Sequence, residues 1–178
     1  MADDIAIAYS VRVMTINDLE LVLEWRNHPD IRRFMYTQHE ISLEEHTRWF
    51  CRASGDSRKH LLIFEADQVP QGFINISETN HGVADWGFYL APTSPKGTGK
   101  KLGTAAIDYA FFTLGMHKLC GQAIVFNDRS IKFHQTMGFQ QEGTLRDQYY
   151  DGAMYHSVVC FGLLSHEWRR INESSEHD

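Results

Sequence analysis

Hydrophobic positions along the chain change period several times, and each change predicts an element. Tyr9 to Met14 alternates apolar and polar residues as a half-buried strand does. Thr15 followed by Asp18 then reads as a helix start, with Thr15 capping the free N–H groups. The helix carries Leu19, Val22, Leu23 and Trp25 and stops at Arg26-Asn27-His28-Pro29, because proline disfavours helical geometry in the residue before it. Ile31 to Tyr36, with Phe34, Met35 and Tyr36 adjacent, fits neither period. It reads as a core corner or the wall of a cleft. Ser42 with Glu45 three residues on forms a capping box for a second helix, whose apolar side holds Leu43, His46, Trp49 and Phe50. Three strands follow, His60 to Ala66, Gly72 to Thr79 and Ala84 to Leu90, separated by turn-forming residues, and they predict an antiparallel meander. A proline- and glycine-containing loop then opens into a helix marked by Leu102, Ala105, Ala106, Tyr109, Ala110 and Thr113. A strand from Leu119 to Val125, a helix capped by Asn127 and ended at Gly138, and strands Thr144 to Tyr150 and Met154 to Leu163 about Asp151-Gly152 complete the pattern. One domain over residues 8–170 and a polar, frayed tail over 171–178 are expected.

The loop Lys96-Gly97-Thr98-Gly99-Lys100-Lys101-Leu102-Gly103 changes this picture. Glycines feeding a helix start expose backbone N–H groups at the positive end of the helix dipole, which suits a phosphate or pyrophosphate. A Walker A loop is excluded because Lys101 stands where Ser or Thr is required and Ser94 where a glycine is. The dinucleotide fingerprint fits poorly, since its third glycine comes one place late. From the glycines alone, an ordinary flexible loop remains the other reading.

Composition narrows the partners. The 178 residues are 43% hydrophobic with net charge −6, so one domain can build its own core, while nucleic acid and anionic membranes are disfavoured. Cys51, Cys120 and Cys160 are odd in number and far apart, as reduced cytoplasmic thiols are. No metal-ligand spacing occurs among the ten histidines and three cysteines, so no metal is expected. The N-terminus lacks a basic start with a long apolar run, and a cytoplasmic protein is expected.

The order of elements, with Lys96-Gly97-Thr98-Gly99 before Leu102 and Asn127-x-x-Ser130-x-x-Phe133-His134-x-x-x-Gly138-Phe139 one helix and one strand later, resembles the GNAT superfamily of N-acetyltransferases. The resemblance covers Tyr9 to about Leu163. It implies an α+β fold, a mixed α/β sandwich whose central, mostly antiparallel seven-stranded sheet is splayed at strands 4 and 5, with helices on both faces. It further implies acetyl-CoA as co-substrate. Gly97 to Gly103, with Lys96, Thr98, Lys100, Lys101 and Leu102, would take the pyrophosphate, Leu90 and Asn127 the pantetheine, and Lys132 and Phe133 would complete the coenzyme site. The family usually carries tyrosine where this chain has His134. The expectation is that His134 protonates the departing thiolate as an imidazolium whose pKa the coenzyme phosphates raise. Glu78, or Asp85 on the next strand, would act as general base, with Glu78 preferred.

The N-terminal half carries a closer likeness. Val22-Leu23-Glu24-Trp25-Arg26-Asn27-His28-Pro29, Phe34-Met35-Tyr36 and Ile41-Ser42 with His46 resemble the N-acetyltransferases of pseudaminic acid biosynthesis, which acetylate UDP-4-amino-4,6-dideoxy-N-acetyl-β-L-altrosamine. By itself His46, among apolar neighbours, reads as a structural histidine. The likeness implies instead that it faces a UDP-linked amino-sugar pocket with Arg26, His28, Met35, Tyr36, Trp49, Ser77, Glu78 and Tyr89. A monomer or homodimer is expected. Two alternatives stay open, an acetyltransferase for a protein N-terminus or antibiotic amine, and an acetyl-CoA-binding module without catalysis.

Overall fold

The computed structural model describes residues 7–175, with backbone alone for Arg170 and residues 172–175. The extreme N-terminus and the last three residues of the expected tail lie outside the described residues. Seven strands form one sheet in the order β1-β2-β3-β4-β5-β7-β6. They are β1 (Tyr9–Val13), β2 (Lys59–Ala66), β3 (Val69–Asn80), β4 (Val83–Leu90), β5 (Lys118–Ile124), β6 (Gln140–Tyr150) and β7 (Tyr155–Leu164). All neighbours are antiparallel except β4 and β5, as expected for the splayed GNAT sheet.

Helices cover both faces. On one lie α1 (Leu19–Asn27), α2 (Pro29–Arg32) and α3 (Leu43–Ser54); on the other lie α4 (Thr98–Asp108), α5 (Asp128–Thr136) and α6 (Ser165–Ser175). Strand alternation divides the core accordingly. Leu62, Phe64, Ile74, Ile76, Ala84 and Trp86 face α4 and α5, while Leu61, Ile63, Phe73 and Tyr89 face α1 and α3.

Several boundaries differ from the sequence expectation for local reasons. Ser42 does cap α3, accepting from the Glu45 N–H at 3.2 Å, but the Glu45 carboxylate turns to His39. At the first helical turn Thr15 is the N-cap, as expected, and Asp18 closes a capping box with it. The Asp18 carboxylate accepts from the Thr15 N–H at 2.8 Å and the Thr15 hydroxyl at 3.0 Å while two Arg12 nitrogens hold it from the other side. Pro29 ends α1 yet opens α2, since proline suits a first helical position. The β6–β7 turn spans Asp151 to Met154 rather than two residues, because Asp151 Oδ1 accepts from the Ala153 and Met154 N–H groups. The tail is not frayed at residue 171. α6 runs to Ser175, with Trp168 buried and donating to Asp108 at 2.7 Å, and Ile171 packs over Gly138, whose φ is +88°.

Candidate active site

β4 and β5 are paired only from Val83↔Lys118 to Asp85↔Cys120. Beyond that pair they diverge, and a cleft of about 790 Å³ opens between Trp86–Leu90 and Gly121–Ile124. Because the Ala91 N–H bonds to Gln71 on the β3 side, alternation turns the backbone groups of Phe88 and Leu90 toward the cleft, where no strand meets them. A ligand arm can pair with that edge, and the Phe88 N–H is a donor free to meet a developing negative charge.

The coenzyme end of the cleft is lined by Leu90, Lys96, Gly97, Gly99, Asn127, Ser130 and Phe133. Gly97 sits at φ +93° as the residue before α4, and a Cβ there would meet nothing within 4 Å. Apart from Thr98, whose N–H returns to Pro95, the N–H groups of the first turn of α4 have no intrahelical partner and start beside this open space, a setting that fits a pyrophosphate. The glycine run is not uniform in purpose. Leu102 is fully buried in the core, and a Cβ on Gly103 would lie 2.6 Å from Phe133 Cζ, so that glycine serves the α4–α5 contact. Thr98 is buried and its N–H returns to Pro95. Lys101 projects its ammonium over the Tyr9 ring at 5.5 Å, away from the cleft. Lys100 and Lys132 are exposed outside the lining. Asn127 lines the cleft, but its amide oxygen caps α5 by accepting from the Ser130 N–H, which leaves the amide N–H₂ for a ligand.

His134 lines the same cleft, yet its surroundings contradict the expected imidazolium. It is 3% exposed, stacked on Phe161 and edge-on to Trp86 and Phe139. Burial lowers its pKa, the opposite of the expected direction. Nδ1–H donates to the Ser130 carbonyl at 2.8 Å, so Nε2 of the neutral ring carries no proton. Nε2 and the Trp86 Nε1–H are both buried without partners, and both press over Gly121, where any Cβ would collide with them.

Glu78 is also not where the general base was expected. Register pairs Glu78 with Ala84 and Ser77 with Asp85, which puts Glu78 on the α4 side of the sheet and Asp85 on the α1 side. Glu78 accepts from the Gly82 N–H at 2.9 Å and closes the β3–β4 turn, outside the cleft lining. Asp85 lines the cleft, and desolvation raises its pKa.

On the acceptor side, Met35, Tyr36, His28 and Tyr89 line the cleft, while Arg26, His46, Trp49 and Ser77 stand outside its lining. The loop after α2 is tied across the gap. Tyr36 donates to Gln122 at 3.1 Å, Gln38 to the Tyr149 hydroxyl at 2.9 Å, and Arg26 to the Thr37 carbonyl at 3.1 Å. Asn27 exchanges two 2.8 Å hydrogen bonds with Ile41 and closes the loop. Behind it, rings touch in series, His46 stacked on Trp49, Trp49 edge-on to Phe73, and Phe73 tilted against Tyr89. His46 is 4% exposed and its Nε2 has no partner; Arg26 Nη1 is likewise buried and unpaired. Each is within electrostatic reach of the other, and burial lowers both pKa values. Sequence reasoning missed Gln122 and Gly121, which lie on a strand whose apolar pattern marks neither.

A family model for the acetyltransferase (GNAT) domain matches residues 10–140. The chain belongs to the GNAT acetyltransferases. It is an acetyl-CoA-dependent N-acetyltransferase. The acetyltransferase PseH of Campylobacter jejuni is 34% identical over 146 residues, covering 80% of this chain and 85% of that protein. Spermidine N(1)-acetyltransferase of Escherichia coli K12 is 23% identical, covering 90% and 89%. Among solved structures, spermidine N-acetyltransferase from Vibrio cholerae in complex with CoA and spermine superposes with a TM-score of 0.83 at 23% identity, covering 90% of this chain and 98% of that one. That likeness is one of fold. Among the described residues no group of three or more His, Cys, Asp or Glu side chains could hold a metal ion, and no helix is long and apolar enough to cross a membrane.

Proposed function

We propose that this acetyltransferase acts on the 4-amino group of a UDP-4-amino-4,6-dideoxy-N-acetylhexosamine of the altrosamine type, as in pseudaminic acid biosynthesis. The reading is carried by the 34% identity to PseH over 80% of this chain; behind the cleft lining, the buried Arg26 Nη1 and His46 Nε2 have no partner beside the Trp49 and Tyr89 rings. Leaving such atoms unpaired costs about 1–3 kcal/mol each, and since they lie behind the lining a polar ligand reaches them through a shift of the Tyr89 wall. A guanidinium with one free edge favours phosphate, and aromatic faces favour a base. The same buried cation opposes a polyamine.

Acetyl-CoA supplies an activated acetyl thioester. The N-terminus of α4, with Gly97 and Gly99, would take its pyrophosphate, the Leu90 edge and the Asn127 amide its pantetheine, and the Phe88 N–H would steady the thioester oxygen as the amine attacks. Met35, Tyr36 and Tyr89, which line the cleft, would hold the sugar. The test is release of free coenzyme A from acetyl-CoA with the altrosamine sugar nucleotide, its 4-epimer, spermidine and an N-terminal peptide. Release with the altrosamine sugar alone is expected. Turnover confined to the epimer, spermidine or the peptide overturns the acceptor while leaving the acetyltransferase.

A further inference from the structure

The amine must lose a proton before it attacks, and the cleft offers few groups to take it. Two carboxylates line it, Asp30 and Asp85. Asp30 sits on the rim, its side chain 71% exposed and paired with Arg33 at 3.6 Å. Asp85 lies in the fork itself, on the last residue pair before β4 and β5 part, and its carboxylate makes no hydrogen bond or ion pair among the described residues. Its side chain shares a face with Ser77 across β3 and Cys120 across β5, the face that meets the Met35–Tyr36 loop. Two residues on, Gly87 leaves open space, with nothing within 4 Å of where its Cβ would stand. An amine lying over Gly87 would have the Phe88 edge on one side and the Asp85 carboxylate on the other.

We propose that Asp85 is the general base of the acetyl transfer. The ammonium form of the acceptor gives one proton to the Asp85 carboxylate. The freed nitrogen lone pair forms the C–N bond, the C–S bond breaks, and its electron pair leaves on sulfur. The second proton lost by nitrogen goes to the thiolate, and Asp85 returns its own to solvent. Acceptor ammonium and thioester thus become amide, thiol and one proton. The surroundings support basicity. Asp85 is open to the cleft, and partial desolvation holds its carboxyl above the usual range. Neighbouring titratable groups are Cys120 on β5 and Cys160 on β7, both with raised pKa values that keep them thiols, and the Lys118–Glu142 pair at 2.7 Å beyond them. Across the cleft stand His28, Asp30 and Tyr36.

The inference rests on acetyl transfer in this cleft and not on the identity of the acceptor. Wild type, Asp85→Asn and Glu78→Gln are compared from pH 5.5 to 9.5 by coenzyme A release, with whichever amine of the panel above wild type accepts. Asp85→Asn is expected to lower kcat at pH 7 by about 10²- to 10⁴-fold, with KM for acetyl-CoA within about threefold and Glu78→Gln near wild type. Its residual rate should climb about tenfold per pH unit toward the amine pKa, while wild type levels off earlier. Retention of kcat within about threefold, or a loss that keeps the wild-type pH profile, overturns the proposal. A carbon NMR titration of Asp85 with coenzyme A bound gives an acceptor-independent check. Titration at the ordinary value of about 3.9 also overturns it.

Discussion

Replacing Asn27 by alanine tests how the acceptor wall is held. Asn27 Nδ2 donates to the Ile41 carbonyl and its Oδ1 accepts from the Ile41 N–H, each at 2.8 Å across a separation of 14 residues. Each half-buried bond contributes about 1 kcal/mol net, so Asn27→Ala should cost about 2 kcal/mol. In a domain of this size that lowers Tm by roughly 4–8 °C. The remaining ties, from Tyr36 to Gln122, Gln38 to Tyr149 and Arg26 to Thr37, keep the loop near the cleft but let it fluctuate. The acceptor site must then be re-ordered by binding. Acceptor KM should rise by about threefold to thirtyfold, since each 1.4 kcal/mol is a factor of ten. The affinity for coenzyme A, measured by calorimetry, should not change, because its end of the cleft lies on β4 and α4. Asn27→Asp should be no better than alanine, for it loses the donor and sets a carboxylate against a carbonyl. A Tm loss below about 1 °C refutes the clamp. A full Tm loss with unchanged acceptor KM refutes its link to the site.

Three further results are expected. Gly121→Ala drives a methyl into His134 Nε2 and to 2.9 Å from Trp86 Nε1, and overpacking of this kind costs about 1–3 kcal/mol by urea unfolding. Gly121→Ala combined with His134→Ala should then cost less than the sum of the singles by more than about 0.5 kcal/mol, and strict additivity would contradict the packing argument. His46 and His134 both have pKa values lowered by burial, so the unfolded chain binds protons first. Stability should be full above the unfolded value of about 6.5 and decline as pH falls below it, with the slope flattened in His46→Gln and His134→Gln. A neutral imidazole whose Nδ1–H is committed to Ser130 has no proton for the thiolate, so His134→Gln should keep turnover within about threefold. A hundredfold loss with a shifted basic limb would restore His134 as the acid.

Local chemistry in the chain determines much of this molecule without reference to the fold. The strand and helix periods, Ser42 as a cap, Pro29 as a stop, Gly138 at positive φ, and the glycine turn into α4 are governed by backbone sterics and free N–H groups within a few residues. They are legible wherever they occur. The two motifs, one helix and one strand apart, were enough to name the fold. Helix α6 was less legible, because its burial rests on single contacts, Trp168 to Asp108 and Ile171 over Gly138, and not on a repeated stripe.

What the chain alone left open depended on register and on crossings between distant segments. Whether Glu78 or Asp85 faces the cleft is decided by which residues sit opposite in the β3–β4 pair. A shift of one residue sends a side chain to the other face of the sheet, and composition is blind to that shift. Lys101 belongs to a basic loop in the sequence, yet the helical turn points it at Tyr9. His134 stands at a position the family gives to an acid, but the walls of Phe161, Phe139 and Trp86 hold it neutral, and desolvation is a property of packing that no motif carries.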